Sequence, residues 1–180
     1  MWHHWRPERY ANVGLAADRE TSGAPRDGGA IALFSGGLDS VYTLYRRRQG
    51  LVGPRARNVA AALMVLGFDI PLEDLDQFPA AAAASRRMTE SLGVPLWTMH
   101  TNFRALTRQW EDAHGTALAA CLHLFAGRHG LGVIAASTFW KPLNAPWGSN
   151  PDDRPDARQR SHGDRPRQPA RCSAISSRRW

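Results

Sequence analysis

Apolar runs recur along the chain at intervals that fit strands separated by helices. Ile31-Ala32-Leu33-Phe34 is four apolar residues bounded by turn-forming ones, the pattern of a strand buried on both faces. It breaks into Ser35-Gly36-Gly37 and restarts as Val41-Tyr42-Thr43-Leu44-Tyr45, which reads as a helix. Gly50 to Gly53 with Pro54 is a connection, and Val59 to Leu66 is a second buried strand, ending in Gly67-Phe68-Asp69-Ile70-Pro71. An alanine-rich helix from Ala80 to Leu92 stops at Gly93, with Glu73, Asp74 and Asp76 ahead of it as dipole-complementing acids. Val94 to Met99 makes a third strand, since Pro95 is tolerable near a strand start. Phe103 to Trp110 reads as helical. A longer helix follows from Ala113 to Arg128, with Leu118, Cys121, Leu122 and Phe125 at helical spacing. Leu131 to Ala136 is the fourth strand.

Strands alternating with helices predict an α/β three-layer sandwich around a parallel sheet of about four strands. Right-handed crossovers give the order 3-2-1-4. Ligand contacts in such a sheet come from the carboxyl ends of the strands, beside the point where the order reverses.

Composition narrows this picture. A chain of 180 residues, 43% apolar and 22% charged, is one modest domain. No apolar run reaches membrane-span length, and Met1-Trp2-His3-His4-Trp5-Arg6 lacks the apolar core of a signal peptide, so a cytoplasmic protein is expected. Residues 1–30 are polar and glycine-rich and read as a flexible leader; the folded domain is expected over 31–149. From 150 to 180 the chain turns to Pro, Arg, Asp, Ser and Gln, which bury too little apolar surface to fold, and a disordered basic tail is expected. That segment holds eight arginines against four aspartates, so most of the net charge of +7 is tail. Arg46, Arg47 and Arg48 suit the negative end of the first helix, which makes an RNA surface the less favoured reading. Cys121 and Cys172 stand far apart and form no C-x-x-C, so neither a disulfide framework nor a zinc knuckle is supported.

The chemistry gathers at Ser35-Gly36-Gly37-Leu38-Asp39-Ser40. Two glycines let a ligand approach the main chain, two serines add hydroxyls, and a helix start offers free N–H groups to an anion. No G-x-x-x-x-G-K-[ST] and no G-x-G-x-x-G occurs here, and Lys141 is the only lysine. An ordinary strand-to-helix turn capped by Asp39 or Ser35 is the competing reading; it has no need of two glycines. The hexapeptide resembles the S-G-G-x-D-S pyrophosphate loop of the adenine-nucleotide alpha-hydrolase-like superfamily. That superfamily includes asparagine synthetases, GMP synthetases, argininosuccinate synthetases and tRNA-thiolating enzymes. The pattern Asp76, Ala80, Ala84, then Ser91-Leu92-Gly93 also resembles the helix after the second strand of asparagine synthetases.

The resemblance implies a Rossmann-like domain of the HUP type that binds ATP and Mg2+. Ser35, Gly36, Gly37, Asp39 and Ser40 would hold the phosphates, with Asp39 at the metal. Gly67 and Phe68 would meet adenine. Asn102, on the crevice side of the third strand, and His114 with Gly115 are further contact candidates, as is Ser137 across the switch point. Lys141 would neutralise charge on departing pyrophosphate. Phe68 as core, His114 as a surface histidine and Lys141 as a solvated lysine are the competing readings. The function implied is an AMP-forming ligase or synthetase that adenylates a carboxylate or amide oxygen of a small-molecule or peptide acceptor before amidation. A catalytically incomplete nucleotide-binding module and a tRNA-modifying enzyme are the alternatives. Superfamily members continue past residue 150 into a fifth strand and a helical region, so a truncated or frame-shifted version of a longer protein is expected.

Overall fold

The structure, a computed structural model, describes residues 3, 6–14, 16–19, 28–53 and 57–135, together with the backbone of 176–179. In chain order its main elements are β1 (Ala30–Leu33), α1 (Leu38–Arg48), β2 (Val59–Leu66), α2 (Phe78–Ser91), β3 (Leu96–His100), α3 (Trp110–His123), β4 (Leu131–Val133) and β5 (Ser176–Arg179). Strands β1 to β4 are parallel and lie in the order 3-2-1-4, so the chain is an α/β Rossmann-like sandwich as its pattern predicts. Ala32 of β1 pairs with Ala62 on one side and Val133 on the other.

Period-two alternation splits the strand residues between two cores. Ala30, Ala32 and Phe34 face a cluster with Leu44 of α1 and Phe78 and Ala82 of α2. Ile31, Ala61 and Leu63 face the other cluster, with Ala117, Cys121 and Leu122 of α3. Phe34, Ile31, Leu44, Leu63, Leu66 and Leu122 are among the fully buried side chains. Each contributes about 1.5–3 kcal/mol of transfer free energy before conformational entropy is set against it. Two helices on one face and one on the other is the outcome of right-handed crossovers when the strand order reverses.

Helix ends follow local bonding. α1 stops where Leu51 N–H donates to the Arg46 carbonyl and Gly50 N–H to the Arg47 carbonyl. α2 stops in the same way, with Val94 N–H to Thr89 and Gly93 N–H to Glu90. This paired closure satisfies carbonyls that the last helical turn leaves over. All three arginines of the expected run lie in the last turn of α1, and Arg47 is buried.

Several boundaries differ from expectation. β1 begins one residue early because Ala30 N–H donates to the Asn58 carbonyl at 2.9 Å, and Phe34 leaves the strand while staying buried. The α2 helix starts at Phe78, with Pro79 in its first turn. Glu73 and Asp74 do not head that helix. They belong to a separate 3-10 turn, Leu72–Asp74, and the first turn of α2 holds no acid. Phe103 to Trp110 is not one helix: a 3-10 turn spans Phe103–Leu106, Thr107 is extended, and α3 begins at Trp110 and ends at His123.

Within the expected flexible leader, residues 6–10 are held. Arg6 Nη1 donates to both Asp112 oxygens at 3.0 and 2.9 Å, and the Tyr10 hydroxyl donates to Asp112 Oδ2 at 2.6 Å. Asp112 is buried in the first turn of α3. Within the expected disordered tail, Ser176–Arg179 pairs antiparallel with β4, Leu131 opposite Arg179 and Val133 opposite Ser176. A strand is held by ladder hydrogen bonds to an open edge as well as by apolar burial, which is why composition missed this one. No helix among the described residues is long and apolar enough to cross a membrane.

Candidate functional site

The turn between β1 and α1 closes on itself through its two serines. Gly37 N–H donates to Ser35 Oγ at 3.3 Å, Ser35 Oγ lies 3.4 Å from Ser40 Oγ, and the Ser40 hydroxyl donates to the Gly37 carbonyl at 2.8 Å. Gly36 has φ +81°, and a Cβ there would sit 3.1 Å from Ser85 Oγ on α2. Glycine at this position thus lets the loop press against the neighbouring helix. Gly37 is the N-cap of α1, and no side chain caps the turn. The capped-turn reading is not realised: Asp39 sits inside the first turn, and Ser35 bonds within the loop. The first intrahelical bond is Val41 N–H to the Gly37 carbonyl at 3.1 Å, so the amides of Leu38, Asp39 and Ser40 precede it at the positive end of the helix.

A cleft of about 410 Å³ opens against this loop at the carboxyl ends of the strands. That is the size range of small-molecule sites, and the place is where β1 and β4 flank the reversal of strand order. Its floor is Leu33 and Phe34 of the first strand end and Leu63, Met64 and Val65 of β2. Phe68, Asp69 and Ile70 form one wall; Trp110, Glu111, His114 and Leu118 of α3 form another. Ile134 and Ala135 after β4 and the loop residues Ser35, Asp39 and Ser40 complete the lining.

Of the residues singled out from sequence, Ser35, Asp39, Ser40, Phe68 and His114 line the cleft, with Gly36 and Gly37 beside it in the loop. Phe68 is both core and wall: it is buried, and its ring meets Trp110 at 5.1 Å between centroids. His114 is half-buried, with Nδ1 2.9 Å from the Glu111 carbonyl, which places the proton on that nitrogen. Gly67 does not line the cleft; it is buried at φ +101° and shapes the turn after β2. Asn102 is exposed at the head of the Phe103–Leu106 turn and stands outside the cleft. Gly115 lies inside α3, because that helix starts at Trp110, and it does not line the cleft either. Ser137, Thr138 and Lys141 lie outside the described residues.

Asp69, Trp110 and Glu111 were not picked out from sequence. Asp69 had a signal, since it follows a strand end in the crevice; Trp110 had none, because the sequence reads it as the last residue of one helix and the structure makes it the first of another. No protein-family model and no curated protein matches the chain. The chemistry of the site therefore follows from its own geometry.

Three carboxylates, Asp39, Asp69 and Glu111, stand on the cleft, and among the described lining residues there is no lysine or arginine. An anionic ligand would depend on the loop amides, the serine hydroxyls and a divalent cation. No group of three or more His, Cys, Asp or Glu that could hold a metal occurs among the described residues. Mg2+ suits this arrangement, since it is commonly held by one or two carboxylates with phosphate oxygens and water, and Asp39 supplies the carboxylate at the loop. Cys121 packs in the core under α3, and burial pushes its thiol pKa up, so it is no thiolate nucleophile for this site.

Proposed function

We propose that the chain binds Mg-ATP in this cleft and acts as the ATP-pyrophosphatase-type domain of an AMP-forming ligase or synthetase. The observation that carries the reading is the uncapped, glycine-turned helix start at Ser35 to Ser40, opening onto the cleft at the switch point. The β and γ phosphates would rest on the loop amides and the hydroxyls of Ser35 and Ser40, with Asp39 holding Mg2+. The base would lie against the apolar wall around Phe68.

The reaction is a displacement at the α phosphorus. A carboxylate or amide oxygen of a small-molecule or peptide acceptor forms a new O–P bond as the bond to the bridging oxygen of the β phosphate breaks. Pyrophosphate leaves with the electron pair, and the acceptor carries the adenylate on to a nitrogen nucleophile. Such catalysis rests on alignment and on stabilising negative charge, which oriented amides and a metal supply without an acid–base pair.

Calorimetry of Mg-ATP on the full chain, beside a Ser35→Ala, Asp39→Ala double variant, tests the site. Binding lost in the variant supports it; no binding by folded wild-type chain overturns it. A second reading, nucleotide binding without turnover, is favoured by the lack of lysine and arginine among the described lining residues. ATP binding with no pyrophosphate released across an acceptor panel would select it.

A further inference from the structure

The three arginines that close α1 are held differently. Arg46 Nη2 donates to the Leu51 carbonyl at 2.7 Å, and Arg48 donates from Nε to the Leu92 carbonyl at 2.8 Å and from Nη1 to Asn58 Oδ1 at 2.9 Å. Asn58 precedes β2 and Leu92 follows α2, so these contacts lie at the amino ends of the strands, opposite the cleft. Arg47 stands between them in sequence and turns inward. It is 6% exposed, and its Nε and Nη1 are closed off from solvent with no hydrogen-bond partner. Neither ion pair among the described residues reaches it, since both are made to Asp112, by Arg6 and Arg9. Burial pushes its pKa down with no neighbouring charge acting on it, yet a guanidinium stays protonated at neutral pH.

A buried cation without a partner is strongly unfavourable, and the negative end of the α1 dipole offsets only a small part of it. The guanidinium stands on the inward stripe of α1 with Thr43 and Leu44, where an apolar residue of similar volume would be accommodated at less cost. Arg47 lies about 100° round the helix from Arg48, so it points away from α2, and Thr43 on the same face adds a hydroxyl. Nη2 is not sealed as the other two nitrogens are, which leaves the guanidinium fork one nitrogen open. Such a fork matches the oxygens of a phosphate two at a time. We propose that Arg47 anchors a second ligand site, for a small oxyanion of the phosphate type, at the end of the sheet opposite the cleft. This site stands independently of the nucleotide reading above.

Thermal unfolding of the full chain in inorganic phosphate, against chloride at matched ionic strength, tests it for wild type, Arg47→Met and the Ser35→Ala, Asp39→Ala double variant. Phosphate should raise the wild-type midpoint in a saturable way, by about 5–10 °C at a concentration about 100 times its dissociation constant. The double variant should keep a saturable shift, which separates this site from the loop. Arg47→Met should lose it while melting at or above wild type in chloride, because the substitution removes an unpaired charge at similar volume. No saturable shift in wild type overturns the proposal, as does an equal shift in Arg47→Met, which would be phosphate acting on the whole surface. A shift lost in the double variant and kept in Arg47→Met would put the anion at the loop and overturn it too. An Arg47→Met chain that melts well below wild type in chloride, or does not fold, would reveal an internal partner for the guanidinium, with the same consequence.

Discussion

Gly67→Ala isolates the turn on which one wall of the cleft depends. At φ +101° an alanine pays the left-handed strain of an L residue, about 1–2 kcal/mol. The added Cβ would also overlap the Thr101 carbonyl oxygen and come within 3.0 Å of its carbon. That neighbour is backbone, so the end of β3 must move. The movement puts at risk Thr101 N–H to the Leu66 carbonyl at 2.9 Å and Gly67 N–H to the Ile70 carbonyl at 2.8 Å. At about 0.5–1.5 kcal/mol each, the two bonds bring the expected loss to about 2–5 kcal/mol, a large share of a small domain's stability. Urea unfolding followed by tryptophan fluorescence measures it as a lower midpoint at unchanged slope. A loss under about 1 kcal/mol would refute the reasoning, because it would mean that the ends of β2 and β3 give way freely at this contact.

Other substitutions probe separate links. Gly36→Ala meets a side-chain hydroxyl rather than backbone, so it should cost about 1–2 kcal/mol while lowering Mg-ATP affinity at least tenfold in calorimetry, through the loop it distorts. Leu122→Ala empties a fully buried site under the sheet and should lower unfolding free energy by about 2–5 kcal/mol without altering the loop. Asp112→Ala removes the acceptor that Arg6 and Tyr10 share, so trypsin should cut after Arg9 faster than in wild type. Burial, then the hydrogen bond to Asp112, raises the Tyr10 pKa above 10.0, so the folded state favours the protonated phenol. The stabilisation is therefore present at neutral pH and lost as pH climbs past 10.0 through the folded value; the stability gap between wild type and Tyr10→Phe should close over that alkaline range.

The sheet was legible because each of its four parallel strands is a largely apolar run with glycine or proline next to one end, Gly29, Gly67, Pro95 and Gly130. Strand order followed from right-handed crossovers together with the doubly wound arrangement, in which strand four flanks strand one across the switch point. The loop was legible because glycine pairs after such a run have few structural uses. What stayed hidden has one physical source, contacts between residues far apart in sequence. Asp112 reads as a helix-start acid, and its pairing with Arg6 spans 106 positions with no local signature. Glu73 and Asp74 misled because the stop between their 3-10 turn and α2 is set by backbone bonds, Asp74 N–H to Pro71 and Gln77 N–H to Asp74, rather than by a breaker residue. Gly115 misled because the sequence reads one helix ending at Trp110 and another from Ala113, which puts Gly115 near a helix start; Trp110, packed on Phe68, instead opens the helix and leaves Gly115 in its interior.

The position of the cleft is itself a consequence of topology. α1 and α2 cover one face of the sheet, and α3 covers the other. The chain leaves β1 toward the first face, while the chain entering β4 comes from the second. Neither crossover therefore roofs the carboxyl ends between β1 and β4, and the gap remains open however well the two cores pack. What the sequence adds is the lining. Leu33, Leu63 and Val65 keep the floor apolar, glycine lets the loop approach α2, and the acids stand where the walls rise. Because the floor side chains also belong to the cores, stability and site shape are coupled through β1 and β2. Ser35 and Asp39 of the loop and Asp69 of the Gly67–Ile70 turn are exposed on the rim, where they can change with little effect on the cores. A ligand-binding chemistry placed on the rim of a topologically obligatory gap is therefore separable from folding, and that separability is what makes the Ser35 and Asp39 substitutions informative.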